Sequence, residues 1–291
     1  MSDPASRVAA LRSRKAARRK IVMVTAYDFV SARVVARAGA DVVLVGDSAA
    51  NTVLGYSSTR DVSLDEMTML AAAVKRGLAA GAAAESAGGA QPLLVGDMPY
   101  GTYERDDVTA VETARRFRAV GCDAVKLEGA GPSASRVRAI VAAGIPVMGH
   151  VGLLPQQASG ALRARARTAR EALGLARDAR ELEAAGCFAI VFEAIPAAVS
   201  ALVVPTLGVP VIGIGAGGAT DGQVLVFHDI VGLTDGRTPR FVKRYATLLS
   251  EMVTAVAAFA SDVRAGTYPE EAHQYGMEDG ELERLREALG E

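Results

Sequence analysis

Three segments decide the fold: RAGADVVLVGD (37–47), AVGCDAVKLEG (119–129) and AAGCFAIVFEA (184–194). In each, a helical pattern stops at a glycine, Gly39, Gly121 or Gly186, and a short apolar, β-branched run follows. Glycine at the helix C′ position serves a residue that must take positive φ. The apolar runs are continuous, not alternating, as parallel strands buried on both faces must be. Four further runs fit the same mould: IVMVT (21–25), PLLVG (92–96), IPVMG (145–149) and PVIGI (210–214). Helical patterns over 64–83, 108–120, 168–185 and 197–203 separate most of them. Alternating β and α units imply a parallel α/β fold.

An eighth strand would close a barrel, and its best candidate lies in VLVFHDIVGL (224–233), a stretch also compatible with partial helix. The fold is therefore read as a single (β/α)8 TIM-type barrel with a C-terminal helical extension. The competing fold, an open doubly wound sheet, lacks its glycine fingerprint after the first strand, because GIGAGG (213–218) follows the seventh. Residues 1–20 read as a basic N-terminal arm, solvated along its run from Arg12 to Lys20. Residues 21–265 read as the catalytic barrel and 266–291 as a polar tail. The long amphipathic helix after about 240 is expected to cap the barrel or join subunits, and AAGAAAESAGGA (79–90) to be a helix end plus a mobile loop.

Composition narrows the function. The chain has 291 residues, half of them hydrophobic and 22% charged, a globular balance that one barrel accommodates. Lys plus Arg number 32 against 33 Asp plus Glu, a net charge of −1, so no cationic surplus exists to hold nucleic acid. The two cysteines, Cys122 and Cys187, have no partner at metal-ligand spacing and read as small buried thiols. The opening MSDPASRVAALRSRKAARRK lacks the apolar stretch of a signal peptide, and a cytoplasmic location is expected. The charge-free stretch from Glu193 to Asp221 is broken by Pro196, Pro205, Pro210 and several glycines, so it reads as buried soluble core and no membrane partner is expected.

In a barrel of this kind the chemistry sits where strands end. Strand one ends at Tyr27 and Asp28, strand two at Asp47 and Ser48, and strand three at Asp97. Strand four carries Lys126 and Glu128, strand five ends at His150 and strand six at Glu193. Any one of these could merely cap the following helix. Together they place four carboxylates beside one lysine and one histidine. Converging acids in a low-dielectric pocket repel one another unless a cation or proton intervenes. All-oxygen donors without cysteine favour a hard ion such as Mg²⁺ over Zn²⁺. A 2-oxo acid would chelate such an ion, and Lewis-acid polarisation, with Lys126 nearby, would ease formation of its enolate.

At these residues the sequence resembles the ketopantoate hydroxymethyltransferase family over roughly residues 20 to 270. The resemblance rests on TAYD (25–28), VGDS with VLGY (45–48, 53–56), DMPYGTY (97–103), AVKLEG (124–129), GIPVMGHVGL (144–153), FEAIP (192–196), IGIGAG (212–217) and DGQVLVFHD (221–229). It implies Mg²⁺ ligation by Asp47 and Asp97 with Glu128 near the ion or bound through water. It also implies that Asp47, Ser48, Asp97 and Lys126 hold the oxo acid, with His150 in the GHVG turn beside it, and that Glu193 transfers the proton. The implied reaction moves a one-carbon unit from 5,10-methylenetetrahydrofolate to 3-methyl-2-oxobutanoate, giving 2-dehydropantoate for pantothenate biosynthesis. The implied assembly is a homodecamer.

The sequence departs from the family in loops over the site. QASGALRARARTAR (157–170) replaces a glycine-rich segment, GDSAAN (46–51) stands where GDSLGM is usual, and EEAHQYGM (270–277) where EHSF is usual. A paralogue performing metal-dependent aldol-type chemistry on another 2-oxo acid is the alternative these changes raise. Three further alternatives are a lyase or mutase of the phosphoenolpyruvate mutase type, whose KxCGH-like loop is not found here, a Schiff-base aldolase using Lys126, and a binding protein without catalysis.

Overall fold

The computed structural model describes residues 3–84, 91–158, 163–236 and 238–291. It divides into two compact units, Met1–Tyr245 and Ala246–Glu291. In the first, eight strands close a parallel barrel in sequence order: β1 (Ile21–Thr25), β2 (Val42–Val45), β3 (Leu93–Asp97), β4 (Ala124–Lys126), β5 (Val147–Gly152), β6 (Ala189–Glu193), β7 (Val211–Ile214) and β8 (Gly222–Leu225). β8 pairs with β1 through Ile21 opposite Gly222 and Met23 opposite Val224, which seals the ring. The expected eighth strand is thus present, and the rest of that stretch turns helical at Phe227–Ile230. The expected glycine hinges hold as well: Gly39, Gly121 and Gly186 have φ of +77°, +101° and +105°.

The helices follow local signals. α1 spans Pro4–Ala16, α2 Phe29–Arg37, α3 Leu64–Ala84, α4 Asp107–Ala119, α5 Pro132–Ala142, α6 Ala169–Ala184 and α7 Ala197–Val203. Asp28 caps α2 by accepting from the Val30 and Ser31 amides at 2.7 and 2.8 Å, and Thr168 with Glu171 forms a capping box on α6. Asp28 therefore serves the helix, the simpler of the two readings of a strand-end acid.

Two layers of core result. Ile21, Met23, Leu44, Leu93, Val95, Met148, Val191, Ile212 and Val224 belong to one buried cluster, and a larger one joins the strands' other faces to the helices. Leu11 of α1, 4% exposed, belongs to the first cluster. The expectation of a solvated basic arm holds in part: Arg12, Arg18, Arg19 and Lys20 are exposed, but Arg14 pairs with Asp41 and Lys15 with Asp221, and Arg7, ahead of that run, pairs with Asp123. Those acids each stand just before a strand, at distances in sequence that no local pattern reveals.

In the second unit, α8 (Leu248–Ala265) ends at Gly266 in the left-handed region, and α9 spans Glu281–Leu289. No residue of α8 is buried, and Met252, Val253, Val256, Phe259 and Val263 are all exposed. Residues 85–90, within the loop expected over 79–90, and 159–162, within the departing segment 157–170, lie outside the described residues. Among the described residues no helix is long and apolar enough to cross a membrane.

Candidate active site

The strand ends converge as the sequence implies. Asp47, Ser48, Asp97, Lys126, Glu128, His150 and Glu193 line one cavity of about 120 Å³ at the carboxyl end of the barrel. Strand register explains the convergence: Asp97 pairs with Lys126 across β3 and β4, and Gly152 with Glu193 across β5 and β6. Asp97 is 1% exposed, Glu128 1%, His150 2% and Lys126 4%.

Lys126 Nζ donates to both oxygens of Asp97, at 2.7 and 2.8 Å. The Asp47 amide donates to Asp97 Oδ2 at 3.2 Å, tying the ends of β2 and β3 together. His150 lies between two acids, Nδ1 at 3.5 Å from Glu128 Oε1 and Nε2 at 3.3 Å from Glu193 Oε2, both without hydrogen-bond alignment. The Tyr27 hydroxyl hydrogen-bonds Ser48 Oγ at 2.7 Å, and burial pushes its pKa up to about 12.

Sequence reasoning missed the hub of this arrangement, Gln156. Its side-chain amide donates to Asp47 Oδ2 at 2.9 Å and to the Met98 carbonyl at 3.1 Å. Its own carbonyl oxygen accepts from Tyr103 Oη at 2.7 Å, and its backbone amide donates to Glu128 Oε2 at 3.1 Å. Tyr103 stands within DMPYGTY (97–103), and Gln156 closes GLLPQ (152–156), just beyond the GIPVMGHVGL motif.

The charges are ordered by burial. Desolvation raises Asp97 to about 6 even though Lys126 opposes it, and desolvation likewise raises Asp47 against the pull of Lys126. For Lys126 burial acts downward, but Asp97, Asp47 and Glu128 together hold it above the ordinary lysine value. It is a lasting cation, and a Schiff-base lysine needs the reverse shift. His150 rises to about 9, burial and Lys126 acting downward and the carboxylates of Glu128 and Glu193 outweighing them.

Asp47, Asp97, Glu128 and Glu193 bring four carboxyl groups to the cavity, against the one lysine, Lys126, and the one histidine, His150. That surplus in a dry pocket, with hard oxygen donors, fits a divalent cation of the Mg²⁺ type. Among the described residues no three His, Cys, Asp or Glu side chains converge as a ready cage. A site with one or two carboxylates, completed by substrate oxygens and water, is what Mg²⁺ commonly accepts.

Comparison with known proteins identifies the family. The profile of the family described as ketopantoate hydroxymethyltransferase matches residues 5–271. The 3-methyl-2-oxobutanoate hydroxymethyltransferase of Oleidesulfovibrio alaskensis is 48% identical over 272 residues, covering 92% of this chain and 90% of its own. That of Salinibacter ruber is 47% identical over 258 residues, covering 88% and 93%. Among solved structures, a phosphonopyruvate hydrolase in complex with oxalate and Mg²⁺ superposes with a TM-score of 0.58 at 15% identity, covering 97% of this chain and 98% of that one. The phosphoenolpyruvate phosphomutase of Streptomyces platensis gives 0.56 at 17% identity, covering 97% and 95%. At such identities these two share the barrel fold and nothing finer is carried over. The profile match and the identity to curated relatives establish that the chain is a member of the ketopantoate hydroxymethyltransferase family.

Proposed function

We propose that this enzyme transfers a hydroxymethyl group from 5,10-methylenetetrahydrofolate to 3-methyl-2-oxobutanoate, giving 2-dehydropantoate for pantothenate biosynthesis. The observation that carries the reading is the buried constellation of four strand-end carboxylates, one lysine and one histidine in a cavity of about 120 Å³, sized for a small oxo acid. Chemically, C3 of the oxo acid loses a proton and bonds to the donor's methylene carbon. Water supplies the hydroxyl oxygen, and tetrahydrofolate leaves.

Asp47 and Asp97 would hold Mg²⁺, with Glu128 near it. The ion, when bound, supplies Lewis-acid polarisation of the 2-oxo group. Lys126, locked as a cation by Asp97, offers positive charge to the oxygen on which negative charge develops. Ser48, steadied by Tyr27, orients the substrate's carboxylate end. Glu193, whose side chain at 17% exposure is the most open of the four acids, accepts the C3 proton at a carboxylate oxygen, with His150 Nε2 standing 3.3 Å from its Oε2. Gln156 holds Asp47 and, through its backbone amide, Glu128. The reading includes a cytoplasmic enzyme and a homodecamer, the latter carried from the family resemblance.

The test is incubation with Mg²⁺, methylenetetrahydrofolate and a panel of 2-oxo acids, with products read by mass spectrometry. Hydroxymethylated 3-methyl-2-oxobutanoate is expected, and EDTA is expected to reduce turnover to background. Turnover of a different oxo acid alone would favour the paralogue that the altered segment 157–170 raises. Full activity in metal-free protein would sink the Mg²⁺ assignment.

A further inference from the structure

The amino end of the barrel carries a cavity of its own. It holds about 270 Å³ where α1 lies over the starts of β2 and β3, against the C-terminal parts of α2 and α3. It shares no lining residue with the active-site cavity, and β2 separates it from Asp47. Pockets for drug-sized ligands hold roughly 300–1000 Å³, so this one suits a smaller molecule.

Its charged lining is Arg7, Arg14, Arg37 and Asp41. The one acid is engaged within the fold: Asp41 Oδ2 accepts from the Val22 amide at 2.9 Å, and Oδ1 meets Arg14. Arg7 donates through Nη2 to Asp123, whose other oxygen accepts from the Leu94 amide at 2.9 Å. The Arg7 side chain is nevertheless only 9% exposed, and its Nε is buried with no hydrogen-bond partner among the described residues. A buried guanidinium donor left unmatched costs free energy that an acceptor in the cavity would recover. Arg37 forms no ion pair with a described residue. A cation in the last turn of α2 complements the negative end of that helix, but the Arg7 donor has no such explanation. The rest of the lining is largely apolar, with Leu11, Leu78 and Leu93 as its bulkiest members.

We propose that this cavity binds a small organic anion, a short apolar body ending in a phosphate or carboxylate group, with the oxyanion on Arg7 Nε and Arg37 and the body against the three leucines. Guanidinium N–H groups match the oxygens of either group, and the leucines offer nothing to a bare inorganic ion. A ligand seated there touches α1 and the barrel together. It therefore fastens the helix that shuts this end, and it stabilises the folded chain by as much as it prefers that state. The site stands apart from the chemistry at the carboxyl end and does not depend on the transfer reading.

The experiment is calorimetric titration of the full-length protein with n-butyl phosphate, butyrate and inorganic phosphate, at one ionic strength held with chloride so that screening is constant. The wild type is expected to bind n-butyl phosphate or butyrate at one site per chain, and whichever binds more tightly tells phosphate from carboxylate as the recognised group. Inorganic phosphate should bind more weakly than its butyl ester, because it leaves the apolar walls unfilled. Arg37 is exposed, so R37E should fold, and it should weaken the organic anion by about tenfold or more, the effect of losing a charge-assisted hydrogen bond. Ala10 lines the cavity from the exposed side of α1, and A10W, which fills the space, should weaken it at least as much. Both variants should keep oxo-acid turnover within about twofold, as distant sites do. The organic anion should also raise the Tm of the wild type and leave that of R37E unmoved. No binding by any of the three anions would overturn the proposal, as would undiminished binding in either variant. Inorganic phosphate binding as tightly as its butyl ester would overturn the apolar seat and with it the organic ligand.

Discussion

Gln156 is fully buried and touches four parts of the site at once, so its removal should cost more than any single contact suggests. Replacing it with leucine leaves Asp47 Oδ2 without its partner and the Tyr103 hydroxyl proton without an acceptor, though the Glu128 amide still donates to that oxygen, and each buried polar group stranded in this way costs about 1–3 kcal/mol. Gln156→Leu should lower kcat/KM for the oxo acid by roughly 10- to 100-fold, the usual effect of losing a group that orients metal or substrate ligands. Steady-state kinetics would check it, and unaltered kinetics would remove Gln156 from the site's support. The seven residues expected at the site were legible because each ends an apolar run, and a barrel sends strand ends to one face. Gln156 and Tyr103 were not, because they lie in loops after β5 and β3 and meet Asp47 and Glu128 only through tertiary contact. A buried loop glutamine leaves no periodic trace.

Caps decide where the helices begin, and Asp106 gives a cap that can be titrated. Its carboxylate accepts from the Thr109 amide at 2.7 Å, the Thr109 hydroxyl at 2.7 Å and Arg105 Nε at 2.9 Å, which hold it well below the usual carboxylate range. A group whose folded pKa is depressed stabilises the fold above its unfolded pKa and loses that contribution as pH falls through the folded one. Asp106→Asn keeps an acceptor at every pH but not the charge at the N-terminus of α4. Wild type should therefore have the higher Tm at neutral pH, and the gap should begin to narrow below about pH 4, the ordinary aspartate pKa, and go on narrowing towards the depressed folded value. A gap independent of pH from 7 to 3 would rule out the charge as its origin. β3 offers a steric counterpart: a Cβ on Gly96 would come within 2.3 Å of the Phe117 ring of α4. Gly96→Ala should cost about 1–3 kcal/mol in urea denaturation, the range for overpacking a close contact. Periodicity and glycine placement made the strands and the helices from α2 to α7 largely readable. The boundary of β8 was blurred because the next residues, Phe227–Ile230, wind into a helical turn that an apolar pattern cannot separate from a strand.

At the scale of the molecule, the barrel keeps its two ends for different work. The carboxyl end gathers charge for chemistry, and the amino end is shut by α1. There Asp41, Asp123 and Asp221 each accept a neighbouring strand's amide, from Val22, Leu94 and Val211 at 2.9, 2.9 and 2.8 Å, and each also meets a basic residue of α1. The sequence of residues 1–20 looks like a solvated basic segment because its partners stand tens to hundreds of residues away. Charge alone cannot say whether it is paired. Leu11 is the apolar centre of the closure, buried with Ile21, Leu93 and Phe188. Leu→Ala changes at buried sites cost about 2–5 kcal/mol, so Leu11→Ala should lower the urea midpoint clearly. Nothing of α1 lines the cavity at the other end, so KM for the oxo acid and kcat should stay within about twofold, the additivity expected of distant sites. Denaturation and kinetics on one preparation separate the two ends. A stability loss with kinetics intact would mean that α1 holds the barrel together without shaping the site, whereas kinetics falling in a variant that remains fully folded would mean that the closure transmits strain along the strands to Asp47 and Asp97.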